Sequence, residues 1–167
     1  TEGGGMVTSV GNNCLFMPGS HVAHDCRIGN NVIMANNATL AGHVVLEDHV
    51  ILGGLSGAQQ FVRVGRGAII GAMAGAKSDV IPFGMVMGRP GLLAGLNLVG
   101  LKRAGVPAKE IQSLMKAYDH LFSSQGTFAE RVDDVAKTYG GLGTVDAVVA
   151  VLRAATSRPI LQPEEEW

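Results

Sequence analysis

Three of the five histidines fall close together. His21 and His24 lie in the run Ser20-His21-Val22-Ala23-His24-Asp25-Cys26, and His43 follows in Ala41-Gly42-His43-Val44. An imidazole suits proton removal from a weakly nucleophilic hydroxyl near neutral pH. Gly42 stands eighteen residues after His24, and a glycine N–H that no side chain shields can hold the oxyanion of a tetrahedral intermediate. A base and an oxyanion donor together make an acyl-transfer constellation. The rival chemistry is metal binding, because His21, His24, Asp25 and Cys26 are all ligand types. His49 and His120 suggest no role.

Both chemistries require an element that returns to the same place every eighteen residues. The sequence supplies one. Stepping by six from Val10 gives Phe16, Val22, Ile28, Met34, Leu40, Leu46, Leu52, Ala58, Val64, Ile70 and Ala76, all apolar. Stepping by six from Cys14 to Val80 gives only small or β-branched residues. A helix cannot keep that period on one face, since 3.6 does not divide six. Hexapeptide repeats can: each hexad is a short strand and a corner, and three hexads close a triangular coil. Gly or Ala often follows the first anchor, as at Gly11, Gly29 and Gly53, and these glycines are expected to form the corners. Residues eighteen apart then stack in columns about 4.8 Å apart. His24, Gly42 and Gln60 share one column, and Asp25, His43 and Phe61 share the next. Both cysteines take interior offsets on different faces, which predicts no disulfide. The interior offset also turns Cys26 away from His24 and weakens the metal reading.

The repeat ends at Val80, and Met85-Val86-Met87-Gly88 between Pro82 and Pro90 reads as an exit loop. Helical spacing follows, with helices expected near 91–104, 108–123, 128–139 and 145–156. Ile111, Leu114, Met115, Tyr118 and Phe122 form one apolar face. Thr127 and Glu130 resemble a capping box. Thr144 is expected to cap the last helix, with Val148, Val151, Leu152 and Ala155 inward. The fold class is therefore mainly β: a left-handed parallel β-helix over 1–88 and a C-terminal α-helical domain over 89–167. Composition agrees. Only 5% of the 167 residues are aromatic and 24 are glycine, which suits a narrow interior better than a sandwich core. A net charge of -1 gives no bulk argument for nucleic acid. No apolar run reaches membrane-spanning length and no signal peptide opens the chain, so the expected compartment is the cytoplasm.

The run around His24 resembles the UDP-N-acetylglucosamine acyltransferases of lipid A synthesis. So do Asn36-Asn37-Ala38-Thr39-Leu40-Ala41-Gly42-His43-Val44, Gln60-Phe61, and Gly95-Leu96-Asn97-Leu98-Val99-Gly100-Leu101-Lys102-Arg103. The resemblance covers nearly the whole chain. It implies transfer of a 3-hydroxyacyl group from acyl carrier protein to the 3-hydroxyl of UDP-N-acetylglucosamine, without cofactor or metal. It implies a homotrimer with sites between neighbouring subunits. By the same resemblance His24 is the general base, Asp25 orients or charge-stabilises it, and Gly42 donates to the oxyanion. His21 and His43 lie near substrate and acyl chain, and Gln60, Asn97 and Arg103 contact the sugar nucleotide. Arg89, Lys102, Arg103, Lys109 and Lys116 against the single acid Glu110 suit an acidic carrier protein.

Departures from the family pattern carry their own expectations. Gln59 stands where a histidine often precedes Gln-Phe, and Val99 and Ala104 replace polar or basic residues, which predicts weaker or reorganised nucleotide contacts. Ala72 stands at the acyl ruler, where members for longer chains often have glycine. Its methyl predicts a preference for shorter or differently bent acyl chains. Family members carry further coils ahead of the region matching Thr1, which sets a second reading beside the enzyme: a trimeric scaffold without catalysis. The third reading is a metalloenzyme like the γ-class carbonic anhydrases, whose zinc is held by histidines between subunits.

Overall fold

The computed structural model describes residues 5–154 and 158–164. Twelve two-residue strands follow the hexads: β1 (Ser9–Val10), β2 (Leu15–Phe16), β3 (His21–Val22), β4 (Arg27–Ile28), β5 (Ile33–Met34), β6 (Thr39–Leu40), β7 (Val45–Leu46), β8 (Ile51–Leu52), β9 (Gly57–Ala58), β10 (Arg63–Val64), β11 (Ile69–Ile70) and β12 (Gly75–Ala76). They pair in parallel at a register of eighteen, as in Arg27↔Val45 and Thr39↔Gly57. Three sheets result: β1-β4-β7-β10, β2-β5-β8-β11, and β3-β6-β9-β12. They are the three faces of a prism.

Side chains alternate across each strand, so the second residue points inward. Met34, Leu40, Leu46, Leu52, Val64 and Ile70 are fully or almost fully buried, and so are Cys26, Val32, Val44, Val50 and Val62 from the second series. Cys14 and Cys26 are both free thiols. Corners are built differently from the expectation. Glycine does not make most of them: Asn13, Asn31, Asn37, Asp25, His43, Leu55 and Phe61 all hold left-handed backbone with φ between 55° and 64°. Asn and Asp tolerate that region; bulky residues occupy it at a cost of about 1–2 kcal/mol. The glycines after the anchors serve close approach instead. A Cβ on Gly29 would come 2.5 Å from the Asp48 carboxylate, and one on Gly53 would come 2.5 Å from the Ala72 nitrogen.

Past β12 the segment expected as a loop is strand β13 (Gly84–Met87). It pairs in parallel with β11 at a register of sixteen, so the last coil is two residues short. The expected helix over 91–104 is mostly a strand. β14 (Leu92–Leu96) returns antiparallel to β13, and only Leu98–Arg103 is helical, as α1. Gly95, at φ 122°, cannot belong to a right-handed helix. Three further helices follow: α2 (Ala108–Leu121), α3 (Phe128–Tyr139) and α4 (Gly143–Arg153). Ile111, Leu114, Ala117 and Leu121 bury the inner face of α2, while Met115, expected inside, is exposed. Thr127 and Glu130 form the capping box of α3. Thr144 does not cap α4; its N–H donates to Oε1 of Glu110 at 3.0 Å, so a side chain of α2 closes that helix. Val148 is buried, and Ala155 lies outside the described residues. Residues 158–161 return to the β-helix, where Asp79 bridges Ile160: Asp79 N–H donates to Pro159 O at 2.9 Å and Leu161 N–H donates to Asp79 O at 2.8 Å.

Candidate active site

One edge of the prism, between the β3 and β4 faces, carries His24-Asp25, Gly42-His43 and Gln60-Phe61 on successive coils. Backbone hydrogen bonds lock the coils together: His43 N–H donates to His24 O at 3.0 Å and Phe61 N–H to Gly42 O at 3.2 Å. Asp25 turns back from its left-handed corner so that its side chain is only 4% exposed, beside His24 at 48%. Its Oδ2 lies 2.9 Å from His24 Nδ1 and 3.9 Å from His43 Nε2. The hydrogen bond from His24 holds the Asp25 carboxyl below its ordinary range. Burial opposes that pull, while His43 and the backbone N–H of Met6 add to it. An ionised Asp25 accepts the Nδ1 proton, which assigns the lone pair of His24 to Nε2.

Gly42 makes room for the base. A Cβ there would meet His24 Cε1 at 2.5 Å and Nε2 at 2.7 Å, so the imidazole lies directly over the bare Cα. Among the described residues the Gly42 N–H donates to no protein acceptor. The His24 and His43 rings meet at 87° with centroids 5.1 Å apart, and Phe61 stacks on His43 at 4.5 Å and 10°. A hydroxyl approaching Nε2 would therefore meet an oriented base and an unengaged N–H.

His24, Asp25, Gly42, His43 and Gln60 thus share one edge. His21, exposed on β3, stands on the adjoining face. The remaining site residues lie elsewhere. Asn97 is buried at another edge, where its Oδ1 accepts from Gly100 N–H at 2.9 Å and its Nδ2 donates to Gly67 O at 3.0 Å. That side chain is already engaged in capping α1 and tying it to the β-helix. Arg103 is exposed in the last turn of α1, and Ala72 is exposed on the third edge. Sequence reasoning placed Phe61 in the column but gave it no part. It also missed the C-terminal return, which sets Arg158 Nη1 3.5 Å from Gln59 Oε1. No local signal announces a contact across 99 positions.

His24, Asp25 and His43 hold their ligand atoms within 4.8 Å of one another, the spacing of a metal-binding group. Cys26 is sealed inside the prism, and His21 does not join the group. The Nδ1 of His24 is committed to Asp25, which orients a base better than it serves a metal. Among the described residues no helix is long and apolar enough to cross a membrane.

Comparison with known proteins gives the following relations. A family model described as Udp N-acetylglucosamine O-acyltransferase; Domain 2 matches residues 79–161, and one described as Bacterial transferase hexapeptide (six repeats) matches residues 8–42. The chain is 53% identical over 163 residues to a Paracoccus denitrificans protein named acyl-(acyl-carrier-protein)–UDP-N-acetylglucosamine O-acyltransferase, covering 98% of this chain and 61% of that one. The solved UDP-N-acetylglucosamine acyltransferase from Campylobacter jejuni has a TM-score of 0.83 at 31% identity, covering 94% of this chain and 71% of that one. The Arabidopsis UDP-N-acetylglucosamine acyltransferase has a TM-score of 0.87 at 38% identity, covering 92% and 56%. The chain spans about three fifths of the length of the curated relatives it matches. The left-handed parallel β-helix with C-terminal helices is the fold of these structures and of this chain.

Proposed function

The chain belongs to the UDP-N-acetylglucosamine O-acyltransferase family, and from that premise we propose that it transfers an (R)-3-hydroxyacyl group from acyl carrier protein to the 3-hydroxyl of UDP-N-acetylglucosamine, the first step of lipid A synthesis. The observation that carries the proposal is the Asp25–His24 pair lying over Gly42. His24 Nε2 takes the proton of the sugar hydroxyl as its oxygen attacks the thioester carbonyl. The Gly42 N–H donates to the carbonyl oxygen as it becomes an oxyanion. Collapse of the intermediate forms the ester, breaks the carbon–sulfur bond and returns the proton to the departing thiolate. Asp25 stays ionised and stabilises the imidazolium.

His21, His43 and Gln60 line the approach to this edge. Asn97 and Arg103 contact the sugar nucleotide, and Ala72 limits the acyl chain. These last three stand away from His24 in one chain, which supports a homotrimer whose neighbouring copy completes the cleft. The outer face of the β2-β5-β8-β11 sheet supports the same reading, because Leu15, Ile33, Ile51 and Ile69 all point outward there. Exposed Lys102, Arg103, Lys109 and Lys116 suit an acidic carrier protein. The proposed compartment is the cytoplasm, where acyl carrier protein and the sugar nucleotide would meet.

The test is turnover of UDP-N-acetylglucosamine with hydroxyacyl carrier protein by the wild type and by His24→Ala. A loss of at least a thousandfold in the variant is expected, with the oligomer intact. Substantial residual turnover refutes the role of His24. The donor set His24-Asp25-His43 keeps a metal reading open to one measurement: stoichiometric metal in the purified protein, with activity lost on chelation, would replace the acid–base reading.

A further inference from the structure

Phe61 stands at a corner of left-handed backbone, as exposed Leu55 and Met73 do on another edge, but Phe61 carries a ring contact with the site. It holds a left-handed backbone, φ 64°, which a bulky residue adopts only at a cost. Its side chain does not recover that cost through burial, because the residue is 45% exposed. Its recorded ring contact is the stack on His43, 4.5 Å between centroids and 10° from parallel. His43 in turn presents its ring at 87° to His24. Both imidazoles address one carboxylate oxygen, Asp25 Oδ2, at 2.9 Å and 3.9 Å. The column Asp25, His43, Phe61 is thus a continuous stack from carboxylate to aromatic ring, with the base set against its side.

We infer that Phe61 is a positioning residue for the proposed acyl transfer, acting through His43: its ring fixes the plane of His43, which keeps Nε2 of His43 near the Asp25 carboxylate and His24 in one orientation over Gly42. Without the stack, His43 can turn about its side-chain torsions. Its Nε2 then leaves Asp25, and the face against which His24 rests is lost. An offset aromatic pair at this distance holds a ring with the strength of a modest directional contact. The effect on rate is correspondingly moderate and falls on turnover, because what the stack controls is the orientation of the base. The inference rests on the acyl-transfer reading, so its test has one arm that does not use activity.

That arm is the proton spectrum of the His43 ring. Stacking shifts its carbon-bound protons upfield, and Phe61→Leu moves them downfield whether or not the protein turns over substrate. The second arm is kinetic. Phe61→Leu lowers kcat about three- to tenfold with KM within about twofold, and Phe61→Tyr, which keeps the ring, restores the rate. The third is a double-mutant cycle. Once His43→Ala has removed the intermediary, adding Phe61→Leu costs no more than about twofold. Unmoved His43 resonances overturn the inference. So does a Phe61→Leu loss that appears in KM, or one that is undiminished in the His43→Ala background, since either would mean that Phe61 acts on substrate or on the fold. A protein without acyl transfer but with the resonance shift would retain the positioning geometry and refute the reaction alone.

Discussion

Replacing Gly42 with alanine tests the geometry of the base most directly. The backbone there is not left-handed, so alanine meets no conformational penalty. The nearest obstacle is the imidazole. The added carbon would sit 2.5 Å from His24 Cε1, 2.7 Å from Nε2 and 3.1 Å from Nδ1. Ordinary contact begins near 3.4 Å, so the ring must retreat by roughly 1 Å. His24 is 48% exposed and can retreat outward, but its 2.9 Å hydrogen bond to Asp25 moves with it. A misplacement of about 1 Å at a reacting group costs on the order of a hundredfold in rate. Stability should hardly change. Gly→Ala at a compatible position gains about 0.4–1 kcal/mol through the unfolded chain, against the small cost of turning an exposed side chain. The assay is turnover beside a thermal melt. Gly75→Ala is the control, since its Cβ meets nothing within 4 Å; it should leave turnover unchanged and gain the same small increment of stability. A Gly42→Ala enzyme within threefold of wild-type kcat would refute the placement of the base. A variant that fails to fold would refute the claim that the imidazole can yield to the added methyl.

Asp25 gives a pH prediction. Its folded pKa is depressed, so its contribution to stability is present above the ordinary carboxylate value of about 3.9 and is lost as pH falls through the folded value. The Tm gap between wild type and Asp25→Asn should therefore be widest near neutrality and shrink below about pH 4; a gap constant from pH 7 to pH 3 counts against the ionised pair. Ala72 gives a substrate prediction. Across a series of hydroxyacyl carrier proteins the wild type should prefer shorter chains, and Ala72→Gly should move the optimum longer. A wild-type optimum at the longest chains would remove the ruler role.

The β-helix was legible because its period converts sequence offset into translation. Each step of eighteen adds one coil, so a single register explains Val44 and Leu46 as readily as Val62 and Val64. Corners were less legible, because two different demands act on neighbouring residues. Left-handed backbone falls on Asn31, His43 and Leu55, while the demand for close approach falls on Gly29 and Gly53. Both demands favour glycine, so composition alone cannot separate them. Beyond Val80 the periodic aid is gone. Leu92, Leu93 and Leu96 satisfy a short helix and a short strand equally. The choice falls to Gly95 and to the pairing of β14 with β13, the second a tertiary contact. The cap on α4 is likewise tertiary: Glu110 reaches Thr144 from 34 residues away, and Thr144 looks like a cap only until α2 is in place.

The same distinction runs through the site. His24 beneath Gly42 follows from one column, since eighteen residues separate them and a glycine there leaves the space that an imidazole fills. Nothing in the spacing says that Asp25 folds back to be 4% exposed, or that its Oδ2 bonds His24 with His43 close by. Those are rotamer choices, set by what lies on either side in the stack. Columns fix Cα positions; side-chain direction depends on neighbours in three dimensions. Asn97 shows the consequence. Its residue type suits a sugar-nucleotide contact, yet its Oδ1 and Nδ2 are already satisfied by Gly100 and Gly67. A contact to substrate through Asn97 must therefore use the second lone pair of Oδ1 or the second proton of Nδ2, while Arg103, exposed six residues beyond Asn97, has no such constraint. The capping of α1 by Asn97 also delivers Arg103 to its place, so Asn97 has a structural part beside its proposed contact.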